Sequence, residues 1–204
     1  DPTSTEGLHW SKRDKTEMKP GVAERKWEVD SLCYVLRLAH DYWQASGDTE
    51  PFDAAWAKAA RLIVATFKEQ QRVAGPGPYR FQRHSDQPTE TTLAGIGTPT
   101  KKTGLIHSAF RPSDDACTFP CNIPGNLFAV ATLRELAPLA SAVLKDEALA
   151  GEARTLADEV EKAVFAHGVM QLPDGRQVLA YETDGYGNHL FMDDANVPSL
   201  LGLA

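Results

Sequence analysis

Cysteine is scarce in this chain of 204 residues, with only Cys33, Cys117 and Cys121. An odd count cannot close a complete disulfide framework. Cys117 and Cys121 stand four apart rather than at the two-residue gap of a redox or zinc knuckle, so packed thiols are expected. A metal pair would need further His or Cys partners. His107 is the nearest, but the six histidines are scattered and none forms a pair on a helix face, so no metal and no cofactor are expected. Positive charge is also in deficit, 21 Lys plus Arg against 28 Asp plus Glu, for a net −7. Nucleic-acid binding by counterion release needs clustered cations, and so does an anionic membrane surface; neither partner is expected. No apolar run approaches the roughly 20 residues of a membrane helix. The sequence has no Gly-x-Ser-x-Gly for a nucleophilic serine, no third glycine to complete a dinucleotide fingerprint, and no closing Glu of an EF-hand. What it does have is 42% hydrophobic and 24% charged residues, enough for a packed core. It opens at Asp1 without a secretory pattern, which leaves the compartment and the oligomeric state open and suggests that something precedes it.

Along the chain, residues 1–22 read as a polar lead-in. Helical spacing predicts a helix from Glu24 to Gln44, with Leu32, Val35, Leu36, Ala39 and Trp43 on one face. Ser46-Gly47-Asp48-Thr49 ends it. A second helix follows to about Arg72, with Pro51 in its first turn and Phe52, Ala55, Trp56, Ala59, Leu62, Ile63, Thr66 and Phe67 along its face. Residues 74–123 are too rich in Gly and Pro for a long helix, and a loop of that length in a compact domain is usually functional. Helices are expected again from Pro124 to about Leu144, apolar nearly all round and therefore inner, and from Glu147 to His167 with Gly168 as its stop. Val169 to Glu182 reads as a small β-hairpin turning at Pro173-Asp174-Gly175. A polar, Gly-rich segment and the start of another helix at Asp193 complete the chain. The expected class is all-α, built of helix pairs with long loops at one end.

Three constellations carry candidate chemistry. Arg111-Pro112-Ser113-Asp114-Asp115 places two adjacent carboxylates on a Pro-restrained loop beside an Arg; it reads as a general acid with tuning neighbours, or as a loop salt bridge. Trp27-Glu28-Val29-Asp30 joins an aromatic to two acids, a pattern that suits sugar, whose apolar face stacks and whose hydroxyls donate; the plainer reading is a core Trp and an Asp at a helix N-terminus. Asp184 to His189, with Asp193, Asp194 and Asn196, is dense in groups able to meet a polyhydroxylated ligand; its rivals are a calcium loop and an ordinary surface loop.

Together these segments resemble glycoside hydrolase family 125. The resemblance is carried by Glu24 to Tyr34 (ERKWEVDSLCY), Gly104 to Ala116 (GLIHSAFRPSDDA) and Phe191 to Leu201 (FMDDANVPSLL), and spans roughly Pro20 to Leu201. It implies a partial (α/α)6 barrel, or α/α toroid, and an inverting, metal-independent exo-α-1,6-mannosidase acting on α-mannoside oligosaccharides or glycans. It also implies a catalytic aspartate in the Arg-Pro-Ser-Asp-Asp motif. Asp114 is favoured for its place before Asp115-Ala116, and Asp115 remains open. Trp27, Asp30, Arg111, Tyr186, Asn188, His189, Asp193 and Asp194 become the candidate substrate-binding residues. The family's general base, a glutamate near the C-terminal end, has no match here, nor has its N-terminal Trp-Leu-Arg-Asp-Ser motif. Residues 1–204 are therefore expected to be one fragment of an (α/α)6 catalytic domain, lacking N- and C-terminal parts and inactive alone. Twelve helices of ~15 residues with their loops need roughly 300 residues or more. The competing readings are a non-catalytic helical carbohydrate-binding or scaffold module, and another inverting α/α-toroid glycosidase.

Overall fold

The computed structural model describes residues 13–15 and 24–203. The lead-in expected over 1–22 lies outside these, apart from 13–15. Four long helices form the frame: α1 (Val29–Ser46), α2 (Ala54–Gln70), α3 (Ile123–Ala142) and α4 (Glu147–His167).

The N-terminal boundary of α1 lies five residues later than the periodicity suggests, because tertiary bonds hold the preceding chain extended. The Trp27 indole N–H donates to the His107 carbonyl at 2.6 Å, and the Val29 amide donates to the Ser108 hydroxyl at 3.2 Å. Glu28, the N-cap residue, accordingly has extended backbone, φ −132° and ψ 127°. Gly47 ends α1 at φ 68°, a left-handed conformation that glycine adopts at little cost, and its N–H returns to the Trp43 carbonyl. In α2 the start is set by Asp53, whose carboxylate accepts the Trp56 amide at 2.8 Å; Pro51 lies before the helix rather than in its first turn. Such a cap contributes about 1 kcal/mol. The buried stripe of α2 is Ala57, Ala60, Ile63, Val64 and Phe67, so the expected face is rotated and Leu62 is exposed.

Helix α3 is apolar nearly all round because it packs on α1 with one side and on α4 with the other. Leu133, Leu136, Leu156, Val160 and Val164 are fully or almost fully buried, each contributing about 1.5–3 kcal/mol of apolar burial. Gly125 lets α1 and α3 approach, since a Cβ there would meet Val29 Cγ1 at 2.7 Å. Gly168 ends α4 without a left-handed turn, at φ −99°. Any side chain at this position is excluded instead by Ile123 Cδ1, 2.6 Å from where a Cβ would stand.

Strand content is small. β1 (Cys121–Asn122), β4 (Glu182–Thr183) and β5 (His189–Leu190) form an antiparallel sheet in the order β1-β4-β5. β2 (Val169–Gln171) and β3 (Gln177–Leu179) form the expected hairpin, with Gly175 at φ 85° in its turn. Asp193 does not begin a helix: its carboxylate accepts the Leu200 and Leu201 amides at 2.9 and 3.0 Å, and only a 3-10 turn, Leu201–Leu203, follows. All three cysteines are free and buried. Burial pushes the Cys121 thiol up to about 12 and Cys33 higher still, so both are inert packing groups.

The two ends of the helix array differ. At one end, short turns join α1 to α2 and α3 to α4. At the other gather the α1 N-terminus, bonded to Ser108, and the α2 C-terminus, whose Gln70 carbonyl accepts the His107 amide. The α3 N-terminus, bonded to the Tyr181 carbonyl, and the α4 C-terminus, bonded to Ala180 and His189, lie there too. Thus α1 and α3 run the same way, α2 and α4 return, and both long polar segments, 74–122 and 169–192, lie over one end. On α1, Val35 and Leu38 remain exposed, while Tyr34 sets its ring edge-on to Phe128 of α3 at 4.9 Å.

Candidate active site

The Arg-Pro-Ser-Asp-Asp loop is folded by its own backbone. The Asp114 N–H donates to the Arg111 carbonyl at 2.9 Å, and the Arg111 N–H donates to the Asp115 carbonyl at 2.8 Å. Phe110 and Ala116 close the loop by an antiparallel bridge. This tight turn puts Asp114 at φ 72°, a left-handed conformation uncommon for a residue other than glycine. Its side chain is 67% exposed. The Asp115 side chain is half-buried, with no hydrogen-bonded or ionic partner among the described residues.

The Arg111 guanidinium anchors the loop from below. It donates from Nε to Glu182 Oε1 at 2.6 Å and lies over the Tyr181 ring at 5.7 Å. Glu182, fully buried in β4, also accepts the Phe119 amide at 2.9 Å. Burial alone would depress the Arg111 pKa, but the Glu182 carboxylate outweighs it and the group is raised. Both Glu182 oxygens are thus committed to holding the loop.

Two further segments meet this loop. From the chain before α1, Lys26 donates to both the carbonyl and the carboxylate of Asp114. Next to it, Glu28 has its carboxyl pushed up to about 7, first by burial, then by a hydrogen bond with Asp114 and by the charges of Asp30 and Asp114, with Lys26 opposing. Asp30, also raised by burial, has one buried carboxylate oxygen without a partner. From the C-terminal segment comes Asp194. Partial burial pushes its carboxyl up, but the Asn196 N–H donors, the nearby Ser113 hydroxyl and the Arg111 charge outweigh that and hold it below the ordinary range. The segment is tied down further along, where the Tyr34 hydroxyl donates to the Val197 carbonyl at 2.7 Å.

The fold therefore brings Asp30, Arg111, Asp114, Asp115 and Asp194 to one end of the array, with Asp193 closing the adjacent turn. It gives other positions to the remaining candidates. Trp27 is 4% exposed, stacked on Tyr79 at 5.0 Å with Phe67 against its edge, so the indole offers no face to a sugar. Asp184 spends its carboxylate on the Tyr186 and Asn188 amides and the Asn188 side chain, forming a self-contained turn with Tyr186 in solvent. That turn rests on Lys101 and Thr103, and His189 bonds the His167 carbonyl at the end of α4. Tyr186, Asn188 and His189 thus sit over the outer helix rather than beside Asp114. Lys26, which bonds Asp114, is an addition, while Glu28 beside it belonged to the Trp27–Asp30 constellation. The sequence signal for Lys26 was the run of charges around Trp27; what concealed it was its separation of 88 positions from Asp114. Among the described residues no group of three or more His, Cys, Asp or Glu is arranged to hold a metal ion.

Alternating helices with an acidic, Pro-restrained loop gathered over one end place the chain in the α/α-toroid class. The family model described as metal-independent alpha-mannosidase (GH125) matches residues 2–204, and the chain belongs to that family. It is 41% identical over 195 residues to the meiotically up-regulated gene 157 protein of Schizosaccharomyces pombe, a match covering 89% of this chain and 38% of that protein. Its fold is similar, at a TM-score of 0.91 and 35% identity, to a Streptococcus pneumoniae metal-independent α-mannosidase solved in a non-productive complex with α-1,6-mannobiose. That similarity covers 98% of this chain and 46% of the other. The four helices and the small hairpin are accordingly part of an (α/α)6 barrel, and the chain spans less than half the length of these relatives.

Proposed function

We propose that residues 1–204 are the central part of the catalytic domain of an inverting, metal-independent exo-α-1,6-mannosidase, and that they supply its general acid from the Asp114–Asp115 pair. The observation that supports this most directly is the convergence at one end of the array. The exposed Asp114 and the half-buried Asp115 stand there on a backbone-locked loop, with Asp30, Arg111 and Asp194 at the same end. In an inverting reaction the protonated carboxyl gives its proton to the glycosidic oxygen as the C1–O bond breaks. A second carboxylate, ~6.5–9.5 Å away, takes a proton from the water that attacks C1 from the opposite face. Within this chain Glu182 cannot be that base, because it is fully buried and both its oxygens are bonded. Asp184 is likewise occupied by its own turn. The family resemblance implies a base, a glutamate near the C-terminal end of such enzymes, in a region that residues 1–204 do not match, and on that reading the chain alone is inert.

The test uses the longer parent protein with α-1,6-mannobiose. Asp114→Asn or Asp115→Asn lowers turnover by ~10²–10⁴-fold with the fold intact. Loss in Asp115→Asn alone moves the acid by one residue and leaves the motif in place. Unchanged turnover in both variants refutes the assignment. A parent that binds α-mannosides without releasing mannose supports a carbohydrate-binding module instead. Preferential cleavage of another α-linked sugar supports a different toroid glycosidase.

A further inference from the structure

Lys26 makes an unusual pair of bonds. Its ammonium donates to the main-chain carbonyl of Asp114 at 3.0 Å and to the carboxylate of the same residue. The Lys26 side chain is 5% exposed, and its ammonium lies 4.6 Å from the Phe110 ring centre. It is a cation held in place by packing, with its aliphatic stem covered. Asp114 is the opposite: its side chain is 67% exposed and its backbone sits at φ 72°. A left-handed non-glycine residue is strained and persists only where its surroundings fix it. A carboxylate so exposed would otherwise sample several rotamers. One buried cation therefore restrains both the strained backbone and the free side chain.

We infer that Lys26 is a positioning residue for the Asp114 carboxyl, gripping its carbonyl and carboxylate together. The inference rests on the proposal that the Asp114–Asp115 loop carries the general acid. It assigns a task to the segment just before α1, which stays out of the helix: Trp27 goes into the core, while Lys26 reaches Asp114. Helical geometry there would point successive residues about 100° apart and break the arrangement.

The experiment compares Lys26→Met, Lys26→Arg and Asp114→Asn in the parent protein, with α-1,6-mannobiose and α-mannosyl fluoride as substrates. Fluoride leaves without protonation, so a lesion in acid positioning spares it, whereas a collapsed site does not. Lys26→Met is expected to lower kcat on mannobiose about 10–100-fold with KM nearly unchanged and to lower the fluoride rate far less; Lys26→Arg recovers part of the loss. If Asp114→Asn is impaired but Lys26→Met stays within threefold of the parent, or loses both substrates equally, the positioning inference fails alone. Undiminished turnover in Asp114→Asn overturns the acid assignment to that residue and this inference with it.

Discussion

Acidification offers a direct test of how the loop end is held, through His107. This ring is almost completely buried and joins three segments: Nδ1 bonds the Gln70 carbonyl at the end of α2, Nε2 bonds the Thr100 hydroxyl, and the His107 carbonyl receives the Trp27 indole. Burial, and then the nearby Arg72 charge, push the imidazole from its ordinary 6.5 down to about 4. In the unfolded chain it binds a proton below about pH 6.5; in the folded chain it resists until about pH 4. The unfolded state binds more protons in that window, so the contribution is fully present above pH 6.5 and lost as pH falls toward 4. The drop corresponds to about 3 kcal/mol at roughly 1.4 kcal/mol per pH unit. Glu28 works in the opposite sense. Its carboxyl is raised from 4.5 to about 7, so the folded state binds more protons between those values and stability falls as pH rises through them. Glu28 is partly open to solvent, and screening reduces its effect to about 1–2 kcal/mol. The two partly cancel in the wild-type chain. Urea unfolding followed by Trp fluorescence, run from pH 7.5 to 4 on wild type and His107→Gln, separates them. The wild type is expected to lose about 2–3 kcal/mol more than the variant over that range. Parallel pH dependences in the two proteins would refute the burial argument for His107.

Other outcomes follow from single residues. Asn126→Ala removes the side chain that pairs with both the N–H and the C=O of Ile106 and reaches the Asn122 carbonyl. Two buried main-chain groups are left unpaired, and a loss of about 2–4 kcal/mol in denaturant unfolding is expected. Glu182→Gln leaves Arg111 with an uncompensated buried charge; it is expected to cost about 3–5 kcal/mol and to lower mannobiose turnover in the parent protein, while Arg176→Ala on the exposed hairpin turn costs under about 0.5 kcal/mol in the same denaturant unfolding. Exhaustive EDTA treatment of the parent is expected to leave its rate unchanged, in keeping with the family's metal independence. A marked fall restored by calcium or zinc would contradict that.

Local pattern determined much of this protein. The spacing of apolar residues marked four helices, and for Glu147–His167 both ends, with Gly168 as the stop, although it is the tertiary contact with Ile123, not a left-handed turn, that excludes a side chain there. The scarcity of polar positions around most of α3 told of a helix covered on both sides, since only burial on two faces tolerates so little charge. The Gly- and Pro-rich stretch excluded a helix over 74–122 and pointed to the loop that carries Asp114 and Asp115. Tertiary structure decided the rest. Whether Trp27 faced a sugar or the core depended on Tyr79 and Phe67, and Val29 rather than Glu24 began α1 because Ser108 and His107 compete for that strand. Asp193 stood where a helix could begin, yet its carboxylate closes a turn to Leu200 and Leu201. Arg111 looked free to meet a ligand, but its partner Glu182 lies 71 residues away, and Lys26 and Asp114 are 88 apart. Periodicity reports which face of an element avoids water. It cannot report which distant charge will meet which, because that pairing is set only when the helices have packed and brought both long loops over the same end.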